Sequence, residues 1–423
     1  MHKLGLRAAI LVPLSVWEFR PGLPEAERAW KYLFTGAAAS SKLRKMPGLF
    51  RIAYKLLVND RGKFAALLVG ISFAVLLMVM MTSLFAGLMN RASATIINTG
   101  ARVWIMDRAV NTVSNNVPLP DYVLDAVRGI PGVKYAVPIY IGSGLVKLTS
   151  GDYQAVSIIG LDDTSLIGRP ALLQGQINDI YADDAFIVVH DAEYSKLGSP
   201  QVGAQFEIND HRAVIVGVGR VASGGLFGIP TLYTTYSRAT QDLPSTRFTM
   251  AFVLVEPKSP SDIPGIKRRV ATLEYLALTR EEFIERTADF YKYQTGVGTN
   301  ILLMTAISFL VGLSISGQTF YSFILENLDK FGALKAIGAK SRELIAMILF
   351  QAGFTGLTGY GLGVGICTLL IAVAKLRLPD YAAMVTFSNL GVAFAMVLII
   401  TAVASYVGVR RVIHIEPFEI FRG

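Results

Sequence analysis

Four long apolar segments divide this chain, one near its start and three towards its end. They cover residues 64–89, 298–325, 343–373 and 387–408, and they hold almost no charged side chains. A hydrocarbon core about 30 Å thick is crossed by about 20 apolar residues in a helix, so each segment can span a bilayer. The pattern predicts four transmembrane α-helices, arranged as one plus three.

Residues 90–297, between the first two spans, have mixed polarity and predict a folded domain of the α+β class. Helical patterns occupy 122–127 and 263–273, and a third at 281–286 leads towards the second span. Strand-like stretches separated by Gly-rich turns fill the rest, at residues 135–141, 155–159, 185–189, 205–208, 213–218 and 251–255. The predicted fold class is therefore a membrane protein with a large extracytoplasmic α+β domain between helices 1 and 2.

The remaining segments are shorter. Residues 47–63 alternate apolar and basic positions on a helical period, which predicts an amphipathic helix in the plane of the membrane surface. Residues 1–46 form an N-terminal extension of unknown role. Three pieces connect or follow the spans, and we expect a cytoplasmic loop at 326–342, a short outer loop at 374–386 and a cytoplasmic tail at 409–423.

Charge orients this arrangement. The net charge is +9, although only 17% of the residues are charged. Residues 1–63 carry twelve Lys or Arg against four acids, and further basic residues lie in 326–342 and 409–423. Basic residues mark the cytoplasmic ends of spans, so both termini are expected inside and the large domain outside. Because the positive charges follow the spans, a nucleic-acid partner is not expected.

The sequence offers no catalytic, cofactor or metal constellation. Its single cysteine, Cys367, lies within the third span and excludes a disulfide inside the chain. The four histidines are scattered, without ligand spacing. Gly62-Lys63 is followed by Phe64, so it is no phosphate-binding loop. We therefore expect a non-enzymatic protein, with any nucleotide hydrolysis on another chain.

The loop between the second and third spans carries the sharpest local motif. It reads Phe331-Gly332-Ala333-Leu334-Lys335-Ala336-Ile337-Gly338-Ala339. Leu334 and Ile337 lie three residues apart on one face of a short helix, which suits contact with a soluble partner. The residues that we expect to couple the chain to that partner are Phe331, Gly332, Leu334, Lys335, Ile337 and Gly338.

Small residues in the spans predict close helix packing. The third span contains Gly359, Gly361, Gly363 and Gly365, in two pairs spaced four apart, and the second contains Gly312 and Ser316. Small residues at this spacing let helix backbones approach in lipid. Packing within one subunit and a sliding or dimer-forming face explain these glycines equally well. No acid or base lies in mid-span, which argues against an ion-driven carrier.

In these features the chain resembles the FtsX/MacB-like family of ABC transporter permeases. The resemblance rests on the loop 331–339, the tail Arg410-Arg411-Val412-Ile413-His414-Ile415-Glu416-Pro417, the segment Ile130-Pro131-Gly132-Val133 and the topology, and it covers about residues 48–423. The DevC-like branch, whose permeases pair with a separate ATPase, is the most similar. Residues 1–46 depart from the family pattern.

The resemblance implies a permease subunit in the bacterial inner membrane, with its large domain in the periplasm. It implies a separate ABC ATPase subunit, a second permease copy in a homodimer or close heterodimer, and in some members a periplasmic adaptor. The loop 326–342 would be the coupling helix, with Phe331, Leu334 and Ile337 packed on the ATPase. The second span would carry the motion outward, and the substrate would be a membrane lipid, a glycolipid or an amphipathic molecule.

Other functions stay open at this stage. The large domain could regulate a cell-wall hydrolase, as in the FtsX branch, or the protein could release lipoproteins from the membrane. A membrane sensor without any ATPase is a fourth possibility. The length of the insert favours export over hydrolase control.

Overall fold

The structure is a computed structural model, and it describes residues 46–148, 150–225, 228–242, 250–378 and 381–413. Nearly all of the N-terminal extension and most of the predicted tail lie outside these residues. The chain divides into two units at Leu57. The described part of the first unit belongs to helix α1, Met46–Asn59, whose basic residues Arg51 and Lys55 are exposed.

Among the described residues, four helices are long and apolar enough to cross a membrane. We call them TM1 to TM4, and they comprise Arg61–Ala92, Gly296–Glu326, Ser341–Arg377 and Phe387–Ile413. Each extends beyond the apolar segment of the sequence at one or both ends. The predicted one-plus-three arrangement is confirmed.

The four spans pack around a shared apolar core. TM1 supplies Ile71, Val75 and Met78, while TM4 supplies Val397 and Ile400, all of them buried. Close packing rather than hydrophobic transfer must hold such helices together in lipid, since acyl chains are as apolar as these side chains. TM1 and TM4 therefore both contribute buried side chains to the core of the bundle.

Between TM1 and TM2 lies an α+β domain whose described part is built on one mixed sheet of ten strands, which confirms the predicted class. The strands are β1 Val103–Met106, β2 Val133–Lys147, β3 Tyr153–Leu161, β4 Ala171–Gly175, β5 Ala185–Val189, β6 Gln205–Ile208, β7 His211–Arg220, β8 Thr231–Thr235, β9 Phe252–Pro257 and β10 Leu276–Thr279. Their order is β10-β1-β9-β2-β3-β8-β5-β7-β4, with β6 beside β2 and β7. The sequence pattern missed β1, β4, β8 and β10.

Short helices complete the described part of the chain. They are α2 Ala94–Thr99, α3 Tyr122–Arg128, α4 Tyr236–Asp242, α5 Ile263–Thr272, α6 Arg280–Asp289 and α7 Leu328–Ala336. The first five belong to the outer domain or its edge, and α7 lies between TM2 and TM3. Helices α3, α5 and α6 correspond to the helical patterns of the sequence.

Strand β2 ties the outer domain together. Its first part pairs antiparallel with β9, and its second part pairs with β3, from Tyr140↔Gly160 to Lys147↔Tyr153. One buried cluster joins Trp104 and Phe252 from one half of the sheet with Ile187 and Tyr233 from the other, and Phe283 of α6 packs in the same cluster. This cluster packs the two halves of the sheet against each other.

Candidate functional site

Helix α7 is held against the end of TM2 by a buried asparagine. Asn327 lies between the two helices, and its side-chain amide donates to the carbonyl of Phe323 at 2.8 Å. The ammonium of Lys330 donates to the Asn327 amide oxygen at 2.7 Å. The ring of Phe331 is fully buried. These contacts fix the orientation of α7, because a helix end with satisfied polar groups and an anchored side chain cannot rotate freely.

The surface that α7 presents outward differs from the predicted one. Phe331 and Gly332 are buried and Leu334 is half-buried, whereas Ile337 is 85% exposed. The Phe331 ring packs inside this chain, and its contact with a partner stays a prediction. Lys335 is half-buried.

The chain reverses directly after this exposed isoleucine. Gly338 has φ +106°, a conformation that strains any residue with a Cβ. The amide of Ala339 donates to the carbonyl of Leu334 at 2.9 Å, which closes the helix end. Ile337 thus projects from a rigid turn between α7 and TM3.

The first turn of TM1 reaches the same region through an ion cluster. Lys63 forms an ion pair with Asp60 at 3.0 Å and another with Glu326, the last residue of TM2. The hydrogen bonds from the Lys63 side chain and backbone hold the pKa of Asp60 below its usual range. An ion pair therefore joins TM1 to the last residue of TM2, which directly precedes Asn327.

The glycines of TM3 separate into two faces. A Cβ on Gly359 would lie 2.7 Å from Cγ2 of Ile71, and one on Gly363 would lie 2.6 Å from the carbonyl oxygen of Ser72. Both glycines therefore lie where TM1 and TM3 approach most closely. A Cβ on Gly361 or Gly365 would meet no heavy atom of the described chain within 4 Å, so these two glycines line the outer face of TM3.

The small residues of TM2 are both buried. A Cβ on Gly312 would collide with the methyl group of Ala74 in TM1, and its next neighbour would be Ile400 in TM4. Ser316, one turn further along TM2, is also buried. This face of TM2 packs inside the bundle formed by the described spans.

At its outer end TM1 is bonded to the outer domain by a buried ion pair. Arg91 Nη1 lies 3.1 Å from Glu193 Oε1, with side-chain exposures of 14% and 0%. The same nitrogen lies 3.4 Å from the carbonyl oxygen of Gly225. Asp191 is beside this pair, and its burial raises the pKa of its carboxyl group, against the lowering effect of Arg91.

Two asparagines extend this attachment. Asn90 Nδ2 donates to Ser223 Oγ at 2.9 Å, and Asn98 Nδ2 donates to the Ser223 carbonyl at 2.7 Å. The Asn98 side-chain oxygen accepts from the backbone amides of Ala222 and Ser223 at 3.1 and 3.0 Å. Sequence reasoning missed this group entirely, because its partners are more than one hundred residues apart and carry no local motif.

TM2 meets the outer domain through an interrupted helix. Helix α6 is capped by Thr279, whose side chain accepts from the Glu282 amide, and a π-helical turn follows at Phe290–Gln294. Thr295 then adopts an extended conformation, with φ −111° and ψ 155°, before TM2 begins at Gly296. The helix predicted at 281–286 therefore does not continue into the span.

The described residues contain no group of three or more His, Cys, Asp or Glu side chains that could hold a metal ion. The polar groups inside the spans largely bond to their own helix. Thr305, Ser308 and Thr401 each donate to the carbonyl four residues earlier, at 2.7 to 2.9 Å. Such bonds satisfy a hydroxyl group without creating a polar path across the bundle.

Two family profiles match the chain. The MacB-like periplasmic core domain matches residues 64–273, and the FtsX-like permease C-terminal region matches residues 302–417. The first covers TM1 and most of the outer domain, and the second covers TM2 to TM4.

Curated proteins show the same likeness along most of the chain. An uncharacterized ABC transporter permease of Mycobacterium tuberculosis (strain H37Rv) is 24% identical over 348 residues, which are 82% of this chain and 91% of that protein. The macrolide export ATP-binding/permease protein MacB of Rhodopseudomonas palustris is 26% identical over 138 residues, or 32% of this chain and 21% of that protein.

Among solved structures, the periplasmic region of MacB from Actinobacillus actinomycetemcomitans matches with a TM-score of 0.34 at 13% identity. The match covers 45% of this chain and 93% of that structure.

Proposed function

The chain belongs to the FtsX/MacB-like family of ABC transporter permeases, and we propose that it passes the motion of a separate ATPase subunit to its outer domain to export a lipid, glycolipid or amphipathic substrate. Its ATPase partner would dock on the cytoplasmic side, where α7 and the ion cluster around Lys63 lie. The outer domain would face the periplasm of a bacterial inner membrane, since the basic clusters of the sequence lie at the opposite ends of the spans.

The location of the proposed docking site rests on one observation. Ile337 is 85% exposed, in a turn that is anchored by buried Phe331 and by Gly338 at positive φ. A large apolar side chain held rigidly in water is typical of a protein interface, because burying it on a partner costs little conformational entropy. Exposed Ala333 and Ala336 flank it on the same side of α7 and leave room for a partner surface.

The transport route follows from the polarity of the spans. The hydroxyl groups of Thr305, Ser308 and Thr401 bond within their own helices. Within the described spans no acidic or basic side chain lies near mid-membrane. These features favour a substrate handled at the outer domain and the outer leaflet over one that passes through the bundle of a single copy.

A second copy of the chain would complete the assembly. The outer face of TM3 offers Gly361 and Gly365, four residues apart and unobstructed by the described part of this chain. Small residues at this spacing allow close approach of a helix from another subunit. We therefore propose a homodimer contact on this face; a periplasmic adaptor and bound lipid would be further partners.

The test of the docking site is the variant Ile337→Asp in the full chain, purified from native membranes together with its ATPase. We expect loss of the ATPase from the purified complex, because a carboxylate would have to be buried at the interface. Ile337→Leu is the matched control and should retain the partner. Tyr122→Asp places the same charge at a 61% exposed apolar position of the outer domain, and it should also retain the partner.

Retention of a fully active ATPase by Ile337→Asp would contradict the proposal. Control of a cell-wall hydrolase and release of lipoproteins are the alternatives in the same family. Mass spectrometry of the native complex distinguishes them: bound lipid or glycolipid supports export, whereas a stoichiometric hydrolase or lipoprotein supports the alternatives.

A further inference from the structure

The outer domain is attached differently to TM1 and to TM2. Both spans join it through the chain itself, but side chains at the end of TM1 bond to distant segments of the domain, whereas the helix leading to TM2 is interrupted. This asymmetry bears on which span moves the domain.

The junction with TM1 is nearly continuous. The amide of Ser93, directly after TM1, donates to the carbonyl of Met89 at 3.1 Å, and the amide of Ile97 in α2 donates to the Ser93 carbonyl at 3.0 Å. Helical hydrogen bonding thus continues across the boundary between TM1 and α2. A helix transmits displacement along its axis because each turn is bonded to the next.

Side chains then bind the far part of the domain to this same end of TM1. We define the TM1 latch as Asn90, Arg91 and Asn98 together with their partners Glu193 and Ser223. The Arg91–Glu193 pair is buried, at 3.1 Å, and the two asparagines bond to Ser223 at 2.9 and 2.7 Å. Glu193 begins the turn after β5, and Ser223 follows β7, so the latch holds two separate segments of the sheet.

The junction with TM2 has the opposite character. A π-helical turn, Phe290–Gln294, is followed by extended Thr295, so the backbone hydrogen-bond ladder is broken before Gly296. π-Helical turns and breaks of this kind mark places where helices bend. Gly298 lies directly against the backbone of Lys292, which brings the two helical pieces side by side at a tight corner.

The cytoplasmic end completes the path. Lys63 of TM1 pairs with Glu326, which is one residue from the asparagine that orients α7. A displacement of α7 can therefore pass to TM1 through Glu326, the last residue of TM2. TM1 then has an ion pair to another element at each end, and each pair connects it to a different part of the protein.

We infer that TM1 carries the outer domain through the TM1 latch, with Arg91 as the positioning residue, and that the break at Thr295 is a joint at which TM2 turns relative to the domain. This inference rests on the proposed function, and it replaces TM2 by TM1 as the span that transmits motion outward. Arg91 acts through Glu193 and touches no substrate.

Distances between spin labels on the domain and on each span test the inference. Two double variants are needed, and both carry Arg212→Cys as an exposed label site on β7. The second label site is Phe73→Cys on TM1 in one variant and Leu302→Cys on TM2 in the other, and both positions are exposed. The native Cys367 is buried and should stay unlabelled. Pulsed electron paramagnetic resonance is measured on the full chain in lipid nanodiscs, alone and with its ATPase trapped in the nucleotide-bound state.

We expect nucleotide trapping to shift the Leu302–Arg212 distance and to leave the Phe73–Arg212 distance unchanged. The opposite pattern would overturn the inference and restore TM2 as the carrier. Two unchanged distances would overturn it as well, because they would show no joint at Thr295.

Variants of the latch make the test specific. In the resting chain, without ATPase, Arg91→Ala should broaden the Phe73–Arg212 distribution, and the milder Ser223→Ala should broaden it less. Lys147→Ala is the matched control, because it removes an ion pair of similar length, 3.2 Å to Glu207, that is exposed on both sides. A narrow distribution in Arg91→Ala, in a chain that still folds, would overturn the latch.

The two proposals fail in different ways. If Ile337→Asp keeps a coupled ATPase, the proposed docking is wrong, while broadening by Arg91→Ala in the resting chain still supports the latch. Ile337→Asp could instead uncouple the ATPase while the wild-type Leu302–Arg212 distance stays the same with and without nucleotide. In that case the docking site is supported and the joint at Thr295 is wrong.

Discussion

The hydroxyl group of Ser72 in TM1 donates a hydrogen bond to the backbone carbonyl of Gly359 in TM3, with 3.1 Å between the two oxygens. A side chain on TM1 can reach the backbone of another helix only where that helix carries no side chain of its own. One turn further along TM3, Gly363 faces the Ser72 carbonyl in return. Gly359 and Gly363 therefore face TM1 inside the chain, whereas Gly361 and Gly365 face outward.

Alanine substitutions at the two kinds of glycine should have opposite effects. Gly363→Ala places a Cβ 2.6 Å from the Ser72 carbonyl oxygen, so TM1 and TM3 must move apart. We expect a loss of about 1–3 kcal/mol in the free energy of unfolding, as for other overpacked sites. The Cβ of Gly361→Ala meets no atom of the described chain within 4 Å. In a single, undimerised chain this variant should be neutral or stabilise by up to about 1 kcal/mol, since alanine favours helix.

Chemical denaturation of the full chain in detergent micelles, followed by circular dichroism, measures both variants. Equal losses for the two alanines would show that Gly361 is also packed against a helix. In that case, the subunit state should be checked, because a contact from a second copy would explain such a loss.

Removal of Arg91 should destabilise the protein far more than removal of a surface lysine. Arg91→Ala breaks the buried ion pair with Glu193, and breaking a buried pair typically costs about 3–5 kcal/mol. Lys147→Ala breaks a pair whose side chains are both 44% exposed, and such pairs contribute about 0–1 kcal/mol. The same denaturation measurement compares them, and similar losses would contradict the burial of the Arg91 pair.

Asp191 should make the stability of the protein depend on pH in a defined direction. Burial raises the pKa of this carboxyl group above its ordinary value of 3.8. A raised folded-state pKa means that the protonated form is favoured on folding, so the contribution of Asp191 is largest in acid and is lost as the pH rises through the raised pKa. Asp191→Asn should therefore stabilise the protein at neutral pH.

The measurement is the difference in unfolding free energy between Asp191→Asn and wild type as a function of pH. It should grow as the pH rises above 3.8 and level off above the raised pKa. Arg91, Glu193, His190 and Tyr233 are the other ionisable groups nearby, and all are unchanged in this comparison. Asp125→Asn, at an exposed position, is the control. A difference that falls with rising pH would refute the assignment.

The corner before TM2 should tolerate no side chain on Gly298. A Cβ there would lie 2.6 Å from Cα of Lys292 and 2.7 Å from its carbonyl carbon. Because backbone cannot rotate away as a side chain can, Gly298→Ala should open the corner and cost at least about 1–3 kcal/mol. The nearest atom to a Cβ on Gly296 is Asn300 Nδ2, at 4.0 Å, so Gly296→Ala should be nearly neutral.

Spin labels at Leu302 and Arg212 provide the second readout for this corner. Gly298→Ala should shift the resting distance, whereas Gly296→Ala should leave it in place. An unchanged distance together with an unchanged stability would show that the corner adapts without moving TM2.

The local pattern of the sequence predicted much of the fold but little of the contact geometry. Four apolar segments predicted four spans because a bilayer selects helices by length and polarity alone. Strands β5 and β6 begin and end where the sequence pattern placed them, whereas β1, β4, β8 and β10, although of similar length, acquire their strand character from neighbours in the sheet.

In the motif at 331–339, too, the sequence predicted the local structure but not the contacts. Its sequence predicted a short helix and a glycine turn, both of which are present as α7 and Gly338. It could not indicate that Phe331 points inward and Ile337 outward, since that depends on how α7 lies against TM2. The four glycines of TM3 are equivalent in sequence, and only the position of TM1 separates Gly359 and Gly363 from Gly361 and Gly365.

The sequence by itself determined the number of spans, the class of the outer domain and the family, because these depend on local polarity and on short motifs. Only the tertiary structure decided how the domain is attached to the membrane. Arg91 and Glu193 are 102 residues apart, and Lys63 and Glu326 are still further apart. Ion pairs across such separations leave no periodic signal in a chain, since they form only after the spans and the sheet have brought their partners together.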